Sequence, residues 1–188
     1  MKINYYSLNL DYEPKVLEEI GSIEEKQIIK KFNLGSGRQV SLSRALREVI
    51  ANNLVSSGWR ANYQITNFKE DSILRWKFEF ANFDTNTFLD IEVGHNNGIG
   101  KKILKAIRIS QLDSRPLYVI VSISEDFKRD GNFDNSASTA REIYNYLLEF
   151  KSNIKNPILI IELLKLDKYF VKSQEDSDGK FGKVIEIL

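Results

Sequence analysis

The stretch that decides the fold is Arg75-Trp76-Lys77-Phe78-Glu79-Phe80-Ala81-Asn82-Phe83, followed by Phe88-Leu89-Asp90-Ile91-Glu92-Val93. Both segments are rich in aromatic and β-branched residues and carry polar side chains at alternate positions, which is typical of strands. Between them lies Asp84-Thr85-Asn86-Thr87, a run of residue types that favour tight turns. The sequence therefore predicts a β-hairpin with acidic side chains on both strands.

The register of this hairpin follows from the alternation of side chains between the two faces of a strand. A turn centred on residues 85–86 places Glu79 opposite Glu92, and Lys77 opposite Gly94. Opposed residues have Cβ atoms roughly 4.5–5.5 Å apart, where like charges destabilise the pair unless a positive group lies between them. A hard divalent cation with oxygen ligands would supply that charge. The alternative is an acidic face open to solvent, since a slip of register would separate the carboxylates.

The composition predicts one globular domain over residues 1–188. The chain is 42% hydrophobic and 28% charged, with only three prolines, which suits a single core. We divide it into a helical N-terminal part (1–60), a core of the catalytic type (61–166) and a C-terminal tail with a strand (167–188). The formal charge of +1 provides little long-range attraction for a polyanion, so nucleic-acid binding would depend on local patches.

Several kinds of site are excluded by residue usage. The chain has no cysteine and one histidine, His95, so disulfides, thiolate metal sites and zinc sites with several histidines are ruled out. A site must be built from carboxylate, lysine, hydroxyl and amide groups. The N-terminal residues lack the apolar segment of a signal peptide, and no run approaches the roughly 20 apolar residues of a membrane helix. We expect a cytoplasmic protein without membrane contact.

The remaining periodicity predicts an α/β fold. The 3.6-residue pattern indicates a helix over 41–57, capped by Ser41 and ended by Gly58, and a basic amphipathic helix over 97–111. Apolar runs at 117–124 and 157–166 are typical of strands buried on both faces. Helices, hairpin, helix, strand, helix and strand in this order predict a mixed central sheet flanked by helices.

Four stretches of the chain resemble the PD-(D/E)xK nucleases, and in particular restriction endonucleases of the BglII and BstYI type. They are Ala45-Leu46-Arg47 through Trp59; Lys77-Phe78-Glu79-Phe80; Ile91-Glu92-Val93 with Asn96-Asn97; and Val119 to Ser124 leading into Asn135-Ser136-Ala137-Ser138. The resemblance implies a restriction-endonuclease-like sandwich. It also implies a homodimer that cuts double-stranded DNA at a short palindromic site with Mg²⁺, and a cognate DNA methyltransferase in the same system.

In that family, a first acidic residue and a glutamate on the next strand hold the metal, and a residue two positions later orients the attacking water. Glu92 matches the glutamate. Glu79 matches the first acid by local context and Asp84 by spacing; Glu79 is favoured, because pairing Asp84 with Glu92 would force Phe88 into the turn. A further assignment makes Asp90 and Glu92 the pair, with Asp84 as the first acid.

The third position of the motif is Gly94, which has no side chain to contact water or metal. In the register given above, Lys77 stands opposite Gly94, and its flexible stem would reach the space left open. We therefore consider Lys77 the migrated third residue, with a surface lysine as the alternative. If no residue fills the position, the chain is a catalytically inactive nuclease-fold module that binds DNA or protein.

Two groups of residues are candidates for contacts with DNA. The first group lies on the basic helix and suits backbone phosphates: Lys101, Lys102 and Lys105. The second lies where the resemblance implies a recognition loop and carries groups that read base edges: Asn135, Ser136 and Arg141. A solvated helix face and an ordinary helix-capping loop are the alternatives for the two groups.

Overall fold

The computed structural model of the chain describes residues 1–33, 41–64, 77–94, 98–131, 133–166, 169–175 and 181–187. Residues 75–76, at the start of the predicted hairpin, and 95–97, which include His95, lie outside these ranges. The described strands are β1 Ile3–Leu8, β2 Arg60–Gln64, β3 Lys77–Asn82, β4 Thr87–Glu92, β5 Leu117–Ile123, β6 Ile158–Leu163, β7 Tyr169–Glu175 and β8 Phe181–Ile187. The described helices are α1 Val16–Gly21, α2 Glu25–Asn33, α3 Leu42–Ser56, α4 Ile99–Ile109, α5 Glu125–Asp130 and α6 Ala140–Glu149.

Six strands form one mixed sheet in the order β1-β6-β5-β4-β3-β2. The central strands β4, β5 and β6 are parallel, and the other three pair antiparallel at the edges. Parallel strands need crossover connections, which α4 provides between β4 and β5, and α5 and α6 between β5 and β6. The predicted α/β fold with a mixed sheet between helices is confirmed.

The sheet separates two apolar cores. One core packs α1, α2 and α3 against alternate residues of the sheet, among them Leu89 and Ile91 of β4. The other packs α4 and α6 against the opposite face, through Phe88 and Tyr118. Because the central strands are covered on both faces, their sequences are mostly apolar. An acidic residue within them must therefore find partners inside the protein.

The helix α3 confirms its predicted boundaries and the reasons for them. Ser41 precedes the helix in an extended conformation, and its side chain accepts a hydrogen bond from the backbone N–H of Arg44. Gly58 follows the helix with φ +89°, a left-handed conformation that glycine adopts without strain. These caps fix the start and end of the helix that carries Arg47 towards the sheet.

The hairpin of β3 and β4 exists, but its predicted register is wrong by two residues. Ala81 pairs with Phe88, not with Asp90, and Asn82 pairs with Thr87. The loop is longer than predicted and spans residues 83–86. The side chain of Asn82 accepts hydrogen bonds from the N–H groups of Asp84 and Thr85 at 3.1 and 3.2 Å, which caps the longer loop.

Two features were not predicted from the sequence. β1, in the part expected to be helical, forms an edge of the sheet beside β6. It contains Tyr5 and Tyr6, and aromatic residues are common in strands. At the other terminus, β7 joins the expected final strand β8 in a separate two-stranded sheet, which lies next to α2. No helix in the described part of the chain is long and apolar enough to cross a membrane.

Candidate active site

The candidate site lies where β3 and β4 separate. Their backbone pairing runs from Asn82–Thr87 to Phe80–Leu89. Beyond that point, the N–H of Glu79 donates to the Asp90 carboxylate oxygen Oδ1 at 3.1 Å. A side chain thus replaces the partner strand as acceptor, and the two strands open into a fork. Glu79 and Glu92 line the fork from the two sides.

Asp90 is the buried centre of the site, with 1% of its surface exposed. Its oxygen Oδ2 accepts a hydrogen bond from Lys105 Nζ and another from the Tyr118 hydroxyl, both at 2.6 Å. Burial raises the pKa of Asp90, but the ammonium groups of Lys102 and Lys105 and these hydrogen bonds outweigh burial and lower the pKa below its ordinary value. Asp90 is therefore an anionic anchor whose two oxygens are both occupied by protein donors.

Lys102 bridges the two carboxylates of β4. Its Nζ lies 3.3 Å from Asp90 Oδ2 and 3.4 Å from Glu92 Oε2. Lys105 lies on the same side of α4 and makes the shorter contact with Asp90. Its Nζ also lies 4.6 Å from the centre of the Phe78 ring, a distance suited to a cation–π contact. Burial lowers the pKa of Lys105, and Asp90 opposes that shift.

Glu92 lies at the end of β4 against the start of α4. Burial raises its pKa; Lys102 and Arg47 act in the opposite direction, and the negative charge of Glu79 adds to the rise. Gly98, the residue that caps α4, makes this approach possible. A Cβ added at Gly98 would lie 2.9 Å from Glu92 Cδ and would overlap Oε2. The positive end of the helix dipole therefore faces the carboxylate.

Glu79 is held by Arg47 of α3. Arg47 Nη1 lies 2.5 Å from Glu79 Oε2, and Nη2 donates to the carbonyl oxygen of Ile91 at 2.7 Å. About a third of the Glu79 side chain is exposed, 32%, in contrast to Asp90. The guanidinium thus ties α3 to both strands of the fork while Glu79 stays accessible.

The charges of the described site balance. The acids are Glu79, Asp90 and Glu92, and the cations in contact with them are Arg47, Lys102 and Lys105. Such pairing offsets much of the cost of placing charges in a partly buried region.

A metal ion fits Glu79 and Glu92 better than Asp90. The described residues contain no group of three or more acidic or histidine side chains placed to hold a metal, because the oxygens of Asp90 face protein donors. Magnesium commonly uses only one or two carboxylates and completes its shell with water and substrate phosphate. Glu79 and Glu92 are carboxylate side chains of this kind at the fork.

Asp84, one of the predicted acids, is not brought to the fork, and Lys77 does not have the predicted partner position on β4. Asp84 is exposed in the hairpin loop, at the opposite end of β4 from Glu92. Five residues of strand separate Thr87 from Glu92, or about 16 Å, too far for one metal to bridge. Lys77 is exposed and pairs with Gln64 of β2. The register that placed Lys77 opposite Gly94 is wrong because Ala81 pairs with Phe88, and the role of Lys77 as the third residue stays a prediction.

The three lysines predicted to bind phosphate divide into two kinds. Lys101 is exposed on α4 and remains available for a phosphate. Lys102 and Lys105 are buried, with 6% and 3% exposed, because Asp90 and Glu92 attract them to the sheet. The expectation of a basic helix face turned wholly to solvent is wrong at these two positions.

The predicted recognition loop lies at the same edge of the sheet as Glu92. Ser122 of β5 is the neighbour of Glu92 in the sheet, and its hydroxyl donates to the carbonyl oxygen of Ser138 at 2.8 Å. Asn135, Ser136 and Arg141 are exposed on or beside this loop. The carboxyl ends of parallel strands commonly carry binding loops, and here β4 and β5 place the loop one strand from the fork.

Two site residues were not found from the sequence, Arg47 and Tyr118, nor was the buried acid Glu162 of β6, which lies outside the site. Tyr118 and Glu162 had a signal, since each is a polar group in an apolar strand and needs a partner when buried. Glu162, on the far side of β5 from Glu92, accepts a hydrogen bond from Asn4 at 3.2 Å. Arg47 had no such signal, because nothing in its helix indicates contact with a strand 32 positions away.

A groove of about 470 Å³ runs from the fork along α3 and β2. Arg47 and Glu79 border one end, and Asn52 and Asn62 contribute amide groups further along. The groove gives an extended molecule access to Glu79 from solvent.

Comparison with known proteins gives a likeness of fold. No family model and no curated protein matches the chain. Among solved structures, the restriction endonuclease BglII complexed with a DNA 16-mer superposes with a TM-score of 0.64 at 15% identity, covering 98% of this chain and 90% of that chain. Free BglII superposes with a TM-score of 0.55 at 15% identity, covering 98% and 93%. The chain therefore has a BglII-like restriction endonuclease fold.

Proposed function

We propose that the protein is a Mg²⁺-dependent endonuclease that hydrolyses phosphodiester bonds of double-stranded DNA at a short specific site, as type II restriction enzymes do. The observation that carries the proposal is the pair of carboxylates at the fork of β3 and β4, accessible Glu79 and buried Glu92, each in contact with a cation. The fold supports it, since BglII has been crystallised with DNA. Such an activity requires a cognate DNA methyltransferase to protect the host DNA.

The residues of the fork have separate tasks in this reaction. Glu79 and Glu92 would hold Mg²⁺, which when bound lowers the pKa of a coordinated water and offsets charge on the phosphate. Asp90 binds no substrate in this scheme; it fixes Lys102 and Lys105 through contacts of 3.3 and 2.6 Å. Arg47 keeps Glu79 oriented towards the fork through its 2.5 Å contact.

DNA would reach the fork along the edge formed by the carboxyl ends of β4 and β5. Lys101 at the start of α4 suits a backbone phosphate, and Asn135, Ser136 and Arg141 suit base edges. Ser136 is preorganised, since its N–H and hydroxyl both donate to Asp134 Oδ1, at 2.8 and 2.6 Å. A net charge of only +1 leaves these local contacts to supply the attraction.

The proposed enzyme acts as a homodimer. A palindromic site matches a protein with two-fold symmetry. A second copy of the chain needs an apolar surface against which to pack. Helices α4 and α6 lie side by side and expose large apolar side chains: Leu104, Tyr146, Leu148 and Phe150. This surface is the proposed dimer contact.

The test is to incubate the protein with mixed-sequence plasmid DNA and MgCl₂. We expect discrete fragments from the unaltered protein and a loss of at least about 100-fold in rate for Glu92→Gln. Glu18→Gln, at an exposed position of α1, is the matched control and should cleave normally. Absence of cleavage over a wide range of protein concentration would contradict the proposal.

The second candidate is an inactive nuclease-fold module that binds DNA. Gly94 favours it, because the motif's third position lacks a side chain. The same plasmid would then be retarded on a gel by the protein without being cut.

A further inference from the structure

The space beside Gly94 is open and free of strain. A Cβ added at Gly94 meets no atom within 4 Å among the described residues, and the backbone there is not left-handed. Gly94 follows Glu92 by two positions, just beyond the end of β4. Among the described residues, there is thus room for a side chain at position 94, two positions after Glu92.

A lysine from another element contacts that carboxylate. Lys102 comes from the first turns of α4, where its N–H donates to the carbonyl oxygen of Gly98 at 2.9 Å. From there its ammonium reaches Glu92 Oε2 at 3.4 Å and Asp90 Oδ2 at 3.3 Å. With 7% of the side chain exposed, it is not an ordinary surface lysine.

Lys102 and Lys105 differ in what they contact. Lys105 Nζ makes a short contact of 2.6 Å with Asp90 and lies over the Phe78 ring, so its surroundings are those of a buried structural ion pair. Lys102 makes two longer contacts and shares its charge between an anchored carboxylate and a carboxylate at the fork. Only the contacts of Lys102 leave an ammonium group facing the fork, where the reaction would take place.

We propose that Lys102 supplies, from helix α4, the positive charge that Gly94 cannot supply at the third position of the motif. This inference rests on the proposed function. Lys102 acts here as a positioning residue: it orients the carboxylate of Glu92 and places a cation beside the groups that would hold Mg²⁺. Asp90 holds Lys102 in turn. This contact gives Asp90 a role in the site although both of its carboxylate oxygens are occupied by protein donors.

The first experiment measures plasmid cleavage by Lys102→Met, which keeps most of the side-chain volume and removes the charge. We expect the rate to fall by about 100-fold. Lys155→Met is the matched control, because Lys155 is exposed just before β6, at the opposite end of the sheet from Glu92. It should cleave as the unaltered protein does. Cleavage by Lys102→Met within about threefold of the unaltered rate would overturn the inference.

The second experiment restores the charge from the original position of the motif. The double variant Gly94→Lys with Lys102→Met should cleave at least about tenfold faster than Lys102→Met alone, because a lysine stem at position 94 reaches the same carboxylate. If Lys102 only held α4 in place, a lysine at position 94 would not restore the cleavage rate. A double variant no faster than Lys102→Met would overturn the inference.

The third experiment does not depend on cleavage. Calorimetric titration with MnCl₂ alone should show tighter binding by Lys102→Met, by about threefold or more, since removing a cation beside the carboxylates strengthens their attraction for a metal. The Gly94→Lys substitution should reverse the gain. Unchanged or weaker Mn²⁺ binding by Lys102→Met would contradict the inference, whether or not the unaltered protein cuts DNA. Failure of the unaltered protein to cut DNA would by itself contradict only the proposed function.

Lys102→Arg provides a second variant if thermal melting shows that Lys102→Met does not fold. It keeps the charge, so it should fold and bind Mn²⁺ like the unaltered protein, while its bulkier planar group should slow cleavage by about tenfold. Mn²⁺ binding several-fold tighter than that of the unaltered protein would contradict the inference.

Discussion

At the scale of single residues, Gly98 controls how closely α4 approaches the fork. The carboxylate of Glu92 occupies the volume that a Cβ at Gly98 would need. Any other residue at position 98 must displace the carboxylate or the helix. Displacements of about 1 Å in an active site can reduce rates by about 100-fold. We therefore expect activity to require glycine at position 98.

We predict that Gly98→Ala lowers the rate of plasmid cleavage by at least about tenfold. Gly100→Ala, two positions along the same helix, is the matched control, because a Cβ there meets no described atom within 4 Å. That control should cleave normally and gain about 0.4–1 kcal/mol of stability from the stiffer unfolded chain. Equal rates for the two variants would show that Glu92 tolerates the displacement.

Asp90 links the site to the pH dependence of stability. Its pKa is lowered in the folded protein from an ordinary value of 3.8. A carboxyl group with a lowered folded pKa stabilises the protein above its unfolded pKa, and that stabilisation is lost as the pH falls through the folded pKa. The stabilisation should thus be complete at neutral pH, begin to fall below about pH 4 and disappear once the pH is below the folded pKa.

We predict that Asp90→Asn lowers the free energy of unfolding at pH 7 by about 3–5 kcal/mol, because it leaves buried ammonium groups unpaired. The difference between Asp90→Asn and the unaltered protein should shrink as the pH falls below 4, where the aspartate also becomes neutral. Urea unfolding at several pH values measures this. A difference independent of pH would show that Asp90 acts by packing and not by charge.

At the scale of elements, the loop of the β3–β4 hairpin sets the position of the acidic residues along β4. Asn86 adopts φ +48°, and its side-chain amide donates to the carbonyl oxygen of Ser114 at 2.9 Å. Asparagine tolerates this left-handed conformation better than most residues. The loop therefore depends on a backbone preference and on a contact outside the hairpin.

We predict that Asn86→Ala lowers the free energy of unfolding by about 1–2 kcal/mol, through backbone strain and the lost hydrogen bond. Asn86→Gly should cost less, because glycine accepts the positive φ and only the hydrogen bond is lost. Thermal or urea unfolding of both variants measures the difference. The reverse order of stability would indicate that the backbone conformation matters little.

The elements also show how far the sequence determines the fold. Periodicity and caps were sufficient for α3, since Ser41 and Gly58 act locally, and the apolar runs were sufficient for β5 and β6. The hairpin register failed because it depends on the side chain of Asn82, which selects a four-residue loop.

The candidate site was predicted only in part, because some of its contacts form only in the tertiary structure. Glu79 and Glu92 were identified by their strands and lie at the fork. The burial of Lys102 and Lys105 could not be read from an amphipathic pattern, because it results from ion pairs with a strand that precedes their helix. Arg47 likewise reaches Glu79 only through tertiary packing.

At the scale of the whole molecule, the exposed apolar side chains of α4 and α6 set the proposed assembly. Leu104 has 56% of its surface exposed, although it lies one residue from buried Lys105. Solvation of so large an apolar side chain is unfavourable, and contact with a second copy would remove it from water.

We predict that the protein sediments with twice its chain mass of 21.7 kDa. Leu104→Lys should shift it towards the monomer, because an ammonium group in an apolar contact is costly. Val55→Lys is the surface control and should remain a dimer, because Val55 is also exposed but lies on α3. Sedimentation of Leu104→Lys as a dimer would exclude this surface.

The equal numbers of acids and cations at the fork have a consequence for how the protein is made. Sites that consist of carboxylates alone repel themselves until an ion arrives, and proteins built around them require their metal in order to fold. Here Arg47, Lys102 and Lys105 already offset the three acids. The chain can therefore complete its folding before it encounters magnesium, and treatment with EDTA should leave its melting temperature unchanged while it abolishes cleavage.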